Sequence, residues 1–464
     1  MAAGKEFKGE SYAENPPVQF GGRGVVSTTP TRESSLLCYW IGRASLVFAF
    51  MFAMAMTMGA KAEDLSDAEK ASLRPWQLWG RPEPFDLPEL FVAEDGRRVK
   101  TVDEWETVRR PEILKWFETS MHGVRPVGRP KDLKFECVSP DKTMMGGEAV
   151  RKQVRISYRG PFGVGSFDVL AFVPVTGRSS PVPVFMLICN DSLSANMDPD
   201  RKVRTNFLPA EEIVRRGYAV AVFNHADVAP DDRSPALTGG VYRAFGPLPR
   251  TTKSWGAISA WAWGASRVLD WIESEPMMDA KRVAVVGHSR CGKTALYAAA
   301  TDVRFAMACV NDSGCCGAKL NHAQIAMSEN IENDNVVNPH WFCLDYRRWD
   351  GLDHKVPYDQ HQLAACIAPR LLAIASASED LPSGPYGEYL TAKLCSPVWE
   401  LYGKKGLAAD PGVVPKLGHK GFPPYNTPIN AGCVSYHLRK GIHLLDEFDW
   451  RCFMDFADRH GWNQ

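Results

Sequence analysis

The sequence predicts a doubly wound α/β domain. Five apolar runs, each ending in polar residues, follow one another between residues 181 and 380: PVPVFMLICND, YAVAVFNHAD, RVAVVGHS, FAMACVNDSG and RLLAIASASED. Such continuous runs are typical of strands buried on both faces of a parallel sheet. Segments with helical character lie between them, including PAEEIVRRG, SWGAISAWAWGASRVLDWIESEP and GKTALYAAATD. This alternation indicates a mostly parallel sheet with helices on both faces.

The segment before these runs has a different pattern. Residues 63–130 form a lead-in, in which WETVRRPEILKWFETSMHG has apolar residues at helical spacing. Residues 132–175 alternate polar and apolar side chains (LKFECVSP, AVRKQVRISYRG, SFDVLAFVPV), which predicts antiparallel strands. We therefore expect residues 63–464 to form one catalytic domain with an N-terminal lead-in.

The first 62 residues resemble an export signal preceded by a polar extension. Residues 1–35 are rich in Gly, Ser, Thr and Pro, a composition typical of disorder. Arg43 precedes the apolar run ASLVFAFMFAMAMTM, and Ala60-Lys61-Ala62 follows it. A basic flank, a short apolar run and an A-x-A exit predict a signal peptide cleaved near Ala62. The run is shorter than the roughly 20 residues of a membrane span, so we expect a secreted or periplasmic protein without stable membrane association.

Charge and cysteine content exclude several partners. The chain has 54 basic and 54 acidic residues, so no basic surplus points to nucleic acid. None of the twelve cysteines belongs to a paired C-x-x-C ribbon, and we expect no structural zinc, no other metal and no cofactor. One or two disulfides are compatible with export, with Cys315 or Cys316 bonded to Cys395 as a candidate pair. We expect a monomer.

The segment RVAVVGHSRCGKTALYAAA carries the chemistry. A strand leads into a tight turn and then a helix, with Ser289 at the turn between Gly287 and Gly292. This order is the nucleophile elbow of the α/β-hydrolase fold, in which small residues let strand and helix approach each other. The helix N-terminus would supply N–H groups for an oxyanion. Cys291 occupies the last Gly position of G-x-S-x-G, so the match is imperfect.

The same residues also match a phosphate-binding loop. Residues 287–294 fit G-x-x-x-x-G-K-[ST] in full, and FAMACVND is an apolar strand ending in Asp. Against a nucleotide site, the motif follows several βα units, and an exported protein meets little ATP. A purely structural turn is a further alternative.

The chain resembles the glucuronoyl esterases of carbohydrate esterase family 15. The resemblance rests on G-H-S-R-x-G-K followed by N-D-S-G-C-x-G-A, then on HWFC (340–343), DQHQLAACIAPR (359–370), SASED (376–380), and GIHLLDEFDW with DFADRH (441–460). These matches appear in the expected order and span roughly residues 180–462. The resemblance implies hydrolysis of (4-O-methyl-)glucuronoyl esters on xylan, including esters that join it to lignin alcohols.

The resemblance and the fold together suggest a catalytic triad. Ser289 would attack the ester, and His443, near the C-terminus as the order Ser…acid…His requires, would act as its base. His419 and His437 are the alternatives. Glu379 follows the last apolar run, where the fold places its acid, and is our preferred third member. Asp312, at a position where many family members carry a glutamate, is the other candidate.

Further residues acquire roles through the resemblance. Arg290 would help to hold the oxyanion, Lys293 would hydrogen-bond the sugar hydroxyls, and Glu329 and Trp341 would complete the pocket for the uronate. Pro382 stands where the family often has a tryptophan, which puts the usual sugar contact in doubt. Without the resemblance, Trp341 would serve equally well as a core residue.

These expectations define one function and three rivals. The predicted enzyme is a secreted serine esterase whose substrate is glucuronoxylan or a lignin-carbohydrate ester. Another carbohydrate esterase, such as an acetylxylan esterase, would share its triad. A non-catalytic carbohydrate-binding relative would not need Ser289, and a nucleotide binder would bind Mg-ATP.

Overall fold

Strands of the computed structural model build one mixed sheet. The model describes residues 86–463 apart from 178–179, 191–193, 234–236, 247–248, 324, 326 and 411–422. Its described strands are β1 (Lys134–Met144), β2 (Ala149–Gly160), β3 (Gly163–Pro174), β4 (Val182–Cys189), β5 (Ala219–Asn224), β6 (Met278–His288), β7 (Met307–Asn311), β8 (Leu371–Ala377) and β9 (Val434–Arg439). They are ordered β1-β2-β3-β5-β4-β6-β7-β8-β9.

The sheet divides into an antiparallel and a parallel part. Strands β1, β2 and β3 pair antiparallel with one another and with β5, as the alternating pattern of residues 132–175 predicts. From β5 to β9 every pairing is parallel. Gly287 on β6 pairs with Ile188 on β4 and with Val310 on β7, so these strands end at one level. Their carboxyl ends therefore meet at one edge, where open α/β sheets place their sites.

Helices cover both faces of the sheet. In chain order they are α1 (Val102–Glu104), α2 (Arg110–Trp116), α3 (Ala210–Arg215), α4 (His225–Val228), α5 (Val241–Phe245), α6 (Ala257–Ile272), α7 (Arg290–Thr301), α8 (Ile331–Val337), α9 (Gln360–Ala365), α10 (Pro385–Cys395), α11 (Pro397–Leu401) and α12 (Glu447–Arg459). The π-helical segment Trp105–Arg109 joins α1 to α2, and a second π-helical segment, Phe117–His122, continues directly from the end of α2. Short 3₁₀ turns are Met145–Gly147, Ser194–Met197, Leu344–Trp349 and Asp353–Lys355.

Alternate residues of the central strands enter two separate cores. On β4, Val184, Met186 and Ile188 belong to the core that α6 and α7 cover. Phe185 and Leu187 point to the other face, into the core that contains residues of α3 and α12. Because both faces are dry, the strands read as continuous apolar runs, and the predicted doubly wound fold is confirmed.

Strand β9 was not predicted. All six of its residues are buried, yet His437 and Arg439 make it look like a polar segment. Both side chains bond the buried carboxylate of Asp449 on α12, His437 Nε2 at 2.9 Å and Arg439 Nε at 3.0 Å. The carboxylate makes their burial tolerable, since buried charges need a partner.

Two further expectations concern the N-terminus and the cysteines. The predicted signal segment and its extension lie outside the described residues. Within the described part of the chain, no helix combines the length and the apolar character that a membrane span requires. The expected disulfide is wrong, because every described cysteine is a free thiol. The Cys315 and Cys316 sulfurs lie 3.5 Å apart, and the Cys395 thiol donates to the Ala392 carbonyl.

Candidate active site

Ser289 occupies a strained turn between β6 and α7. Its φ of 57° and ψ of −126° lie in a region that costs a non-glycine residue about 1–3 kcal/mol. The turn is held because the Ser289 N–H donates to the Asn311 carbonyl of β7 at 2.9 Å. A Cβ at position 287 would lie 1.9 Å from the Cys291 carbonyl oxygen, and one at 292 would lie 2.9 Å from that of Asn311. The position that must be small because it packs against β7 is therefore 292, one residue after the last Gly position of G-x-S-x-G.

The same geometry argues against a phosphate-binding loop. Such a loop needs the residues between its two glycines to turn their N–H groups toward one anion. Here α7 begins at Arg290, so residues 290–294 are already helical. The ammonium of Lys293 is buried and donates to the carbonyls of Ser313, at 2.7 Å, and Cys315, at 2.5 Å. The lysine of the motif is therefore directed into the protein.

His443 lies in the loop that follows β9, beside the elbow. Its ring centroid is 4.4 Å from that of His288, the residue immediately before Ser289. The Nδ1–H donates to an oxygen of Asp380 at 2.6 Å, and the side chain is 41% exposed. This leaves Nε2 as the ring nitrogen for proton exchange. Its rival His437 is fully buried in the ion pair with Asp449, and His419 lies outside the described residues.

The carboxylate that contacts His443 is Asp380, whereas sequence analysis favoured Glu379. Beyond the end of β8, Ser378 is buried, Glu379 is exposed and Asp380 is buried again, so only Asp380 faces the histidine. The backbone N–H of Glu379 donates to Gly441, but its side chain points to solvent. Burial alone would raise the pKa of Asp380; the hydrogen bond and charge of His443 and the donors of Ser383 lower it below its usual value.

Asp312, the other predicted acid, lies beside this pair without bonding the imidazole. Ligand atoms of Asp312, Asp380 and His443 all lie within 4.8 Å of one another. Asp312 Oδ2 accepts from the Leu444 N–H at 3.3 Å and lies 3.7 Å from Arg439, while Oδ1 has no hydrogen-bond partner among the described residues. Burial, together with the neighbouring carboxylates, raises the pKa of Asp312 well above its usual value.

Arg290 follows the nucleophile and contacts a carboxylate that sequence analysis missed. Its Nη1 donates to Asp231 at 2.8 Å, and its guanidinium lies 5.7 Å from the ring centre of Trp341. Trp341 itself is 7% exposed and donates from Nε1 to Asp231 at 2.9 Å. The structure thus brings Arg290 and Trp341 together beside Ser289. The only sequence signal for Asp231 was its place shortly after β5, at the carboxyl edge of the sheet.

Lys293 and Glu329 differ in how far they can reach a sugar. Lys293 is 4% exposed, and besides its two carbonyl acceptors it lies 3.4 Å from the Asp334 carboxylate. Three protein oxygens thus lie around the three N–H donors of the ammonium. The sequence analysis had expected this ammonium to bind sugar hydroxyls. Glu329 is half-buried, and its backbone N–H donates at 2.9 Å to Pro382, the residue at the family's tryptophan position.

Within the described ranges, two clusters of donor atoms have the spacing of a metal site, but neither fits an ion well. One is the set Asp312, Asp380 and His443, in which the histidine nitrogen near the carboxylates is a donor to Asp380. The other is Cys315, Cys316 and Asp334, in which the Lys293 ammonium already neutralises the carboxylate. The expectation of a reaction without a metal stays a prediction.

Known proteins similar to this chain share one chemistry. Residues 202–403 match the family model described as glucuronyl esterase, fungi. A carbohydrate esterase, MZ0003, from an unidentified prokaryote is 33% identical over 81% of this chain and 90% of its own length. A 4-O-methyl-glucuronoyl methylesterase of Podospora anserina is 25% identical over 70% of this chain and 62% of its own.

Solved structures agree with these sequence relatives. A glucuronoyl esterase from Solibacter usitatus superposes with a TM-score of 0.72 and 32% identity, covering 82% of this chain and 99% of the other. A family 15 glucuronoyl esterase from Teredinibacter turnerae has a TM-score of 0.69 and 26% identity, with 84% and 91% coverage.

Proposed function

This chain belongs to the glucuronoyl esterases of carbohydrate esterase family 15, and from that premise we propose how its own residues act. The enzyme is a carboxylic-ester hydrolase for glucuronoyl esters. The observation that carries the mechanism is the hydrogen bond between Asp380 and His443. The His443 ring lies beside the elbow that holds Ser289 in its strained conformation. A serine hydroxyl is a weak nucleophile until a positioned base removes its proton.

In the first half-reaction, Ser289 Oγ attacks the ester carbonyl while His443 Nε2 takes its proton. Asp380 holds the imidazole in the tautomer that has Nε2 free and stabilises the imidazolium that forms. The negative charge moves to the former carbonyl oxygen, beside the guanidinium and backbone N–H of Arg290. When the intermediate collapses, the C–O bond to the alcohol breaks, and His443 returns the proton to the leaving oxygen.

The second half-reaction releases the acid. Water attacks the acyl-enzyme and gives its proton to His443, and Ser289 leaves with that proton as the uronic acid is released. The acyl pocket contains Trp341 and Glu329. Lys293 stabilises the adjacent loop by donating to the carbonyls of residues 313 and 315. We propose (4-O-methyl-)glucuronoyl groups of xylan as the acyl side and lignin alcohols as natural leaving groups.

The decisive experiment follows methanol release from methyl 4-O-methyl-glucuronate. Wild-type enzyme is expected to hydrolyse this ester, and Ser289→Ala to lower kcat by about 10⁶-fold with an unchanged melting temperature. Hydrolysis of acetylated xylan in preference to the uronate ester would favour an acetylxylan esterase. Full carbohydrate binding without any Ser289-dependent turnover would favour a non-catalytic relative, and tight Mg-ATP binding a nucleotide site.

Export is proposed on the sequence alone. The apolar run before Ala62 supports a secreted or periplasmic enzyme, and the N-terminal sequence of the protein recovered outside the cytoplasm tests it. A recovered chain that still begins at Met1 would contradict cleavage.

A further inference from the structure

Asp231 gathers four donors from three separate parts of the chain. Its Oδ2 accepts from Arg290 Nη1 at 2.8 Å and from His225 Nε2 at 3.2 Å. Its Oδ1 accepts from His340 Nε2 at 2.6 Å and from Trp341 Nε1 at 2.9 Å. The side chain is only 13% exposed, so these contacts are made in a largely dry setting.

The loop that carries Asp231 is itself fixed. The carbonyl of Ala229 accepts from Trp261 Nε1 at 2.8 Å, which ties the loop to α6. His225, at the start of α4, bonds the Cys189 carbonyl at the end of β4 through Nδ1 at 2.8 Å. Asp231 therefore has a defined position relative to the sheet edge that also carries Ser289.

Arg290 needs such support because its side chain is long and one-third exposed. A free arginine would occupy many rotamers, and fixing one of them costs up to about 2 kcal/mol. Here Asp231 holds Nη1, and the ring of Trp341 lies beside the guanidinium. Among the described residues the guanidinium has no other carboxylate partner, so its remaining exposed edge can face a substrate oxygen.

We propose that Asp231 is a positioning residue that holds the Arg290 guanidinium, together with Trp341, in the orientation that stabilises the oxyanion. This inference rests on the proposed function, since it assigns Arg290 to the charge that develops during ester hydrolysis. Preorganised donors of that kind act on the transition state far more than on bound substrate. Asp231 therefore acts on kcat through Arg290 without touching the ester.

Asp231 remains ionised in this role. Burial alone would raise the pKa of its carboxyl group. The hydrogen bonds from His225, His340 and Trp341, with the charge of Arg290, outweigh burial and hold the pKa well below its usual value. The carboxylate can thus retain Arg290 throughout the pH range in which an imidazole base works.

The test is a double-mutant cycle on methyl 4-O-methyl-glucuronate. Asp231→Asn keeps the size of the side chain but removes the charge, and is expected to lower kcat about 10- to 100-fold while KM changes less than about threefold. Arg290→Ala is expected to lower kcat by about 10²- to 10³-fold. In the double variant, the loss should equal that of Arg290→Ala alone, because Asp231 has no arginine left to position.

Two further variants separate positioning from folding. Asp227→Asn is the matched control, since Asp227 is an exposed carboxylate four residues earlier whose charged neighbours are Asp168 and His225 rather than Arg290. The kcat of this variant should match wild type. If Asp231→Asn does not fold, Trp341→Phe removes one donor to Asp231 but keeps an aromatic ring beside the guanidinium, and should lower kcat more than it raises KM.

The outcomes are distinct. Wild-type kcat in Asp231→Asn, or losses that multiply in the double variant, would overturn the inference while leaving the esterase intact. A wild-type enzyme that fails to hydrolyse the uronate ester would instead overturn the proposed function.

Discussion

The carboxyl ends of β7 and β8 carry two buried aspartates with opposite properties. Asp312 follows β7, has one oxygen without a hydrogen-bond partner in the described part of the chain, and has a raised pKa. Asp380 follows β8, bonds His443 at 2.6 Å, and has a lowered pKa. Both are about equally inaccessible, so burial does not separate them. The difference shows that the donors around a carboxylate, rather than its depth, decide whether it can serve as an anionic partner for a catalytic histidine.

Among these carboxylates, replacing Asp380 should have the largest effect on kcat. Asp380→Asn keeps the shape of the side chain but loses the charge and presents the wrong group to Nδ1–H, so kcat should fall by about 10³- to 10⁴-fold. Steady-state kinetics on methyl 4-O-methyl-glucuronate measure this. A decrease in kcat of less than tenfold would contradict the assignment of Asp380, rather than Asp312, as the partner of the catalytic histidine.

A third buried carboxylate, Asp334, extends the comparison to stability. Burial raises its pKa to about 7, while the charge of Lys293 opposes that rise. Lys293→Met leaves the carboxylate unpaired, which should lower the free energy of unfolding by about 3–5 kcal/mol in urea at neutral pH.

The loss of stability in Lys293→Met should depend on pH. Without Lys293 the pKa of Asp334 should rise further, so the native state keeps its proton while the unfolded state releases it. Stability should then fall as pH rises from about 5 to 8. Adding Asp334→Asn should recover part of the loss. An equal deficit at both pH values would mean that the packing of Lys293, not its charge, is responsible.

Asp312→Asn should have a modest effect that sharpens the comparison. Activity should stay within about tenfold of wild type, because Asp312 does not bond His443. Its folded pKa is raised, so wild-type stability decreases as pH climbs above the unfolded pKa, by about 1.4 kcal/mol for each unit of difference. The melting temperature of the variant minus that of wild type should therefore increase from pH 4 to pH 8. A variant as inactive as Asp380→Asn would make Asp312 the essential acid.

The smallest effect is expected at Glu379. Its side chain is exposed, while the described carboxylate bonded to His443 is that of Asp380, so Glu379→Gln should leave kcat within about twofold of wild type. Parallel assays with Asp380→Asn provide the contrast between adjacent carboxylates. A loss of tenfold or more would restore Glu379 as the triad acid.

Local pattern was sufficient for much of the fold. The five buried runs and the alternating segment 132–175 predicted β1 to β8, because burial on one or both faces leaves a periodicity in the chain itself. Strand β9 was not predicted, because the burial of its His437 and Arg439 depends on hydrogen bonds to Asp449, a residue of the last helix. A polar strand is recognisable only when its distant partner is known.

The elbow at Ser289 could be predicted from the amino-acid sequence alone, because a strand, two glycines and a helix are adjacent in the chain and their close approach is local. It also supplied His443, through the order of residues and the family resemblance. The folded chain was needed to show that Asp380 rather than Glu379 contacts His443, and that Asp231 contacts Arg290. Each of those contacts joins segments more than 50 residues apart, and a one-residue shift beyond a strand end turns a side chain from solvent to the site.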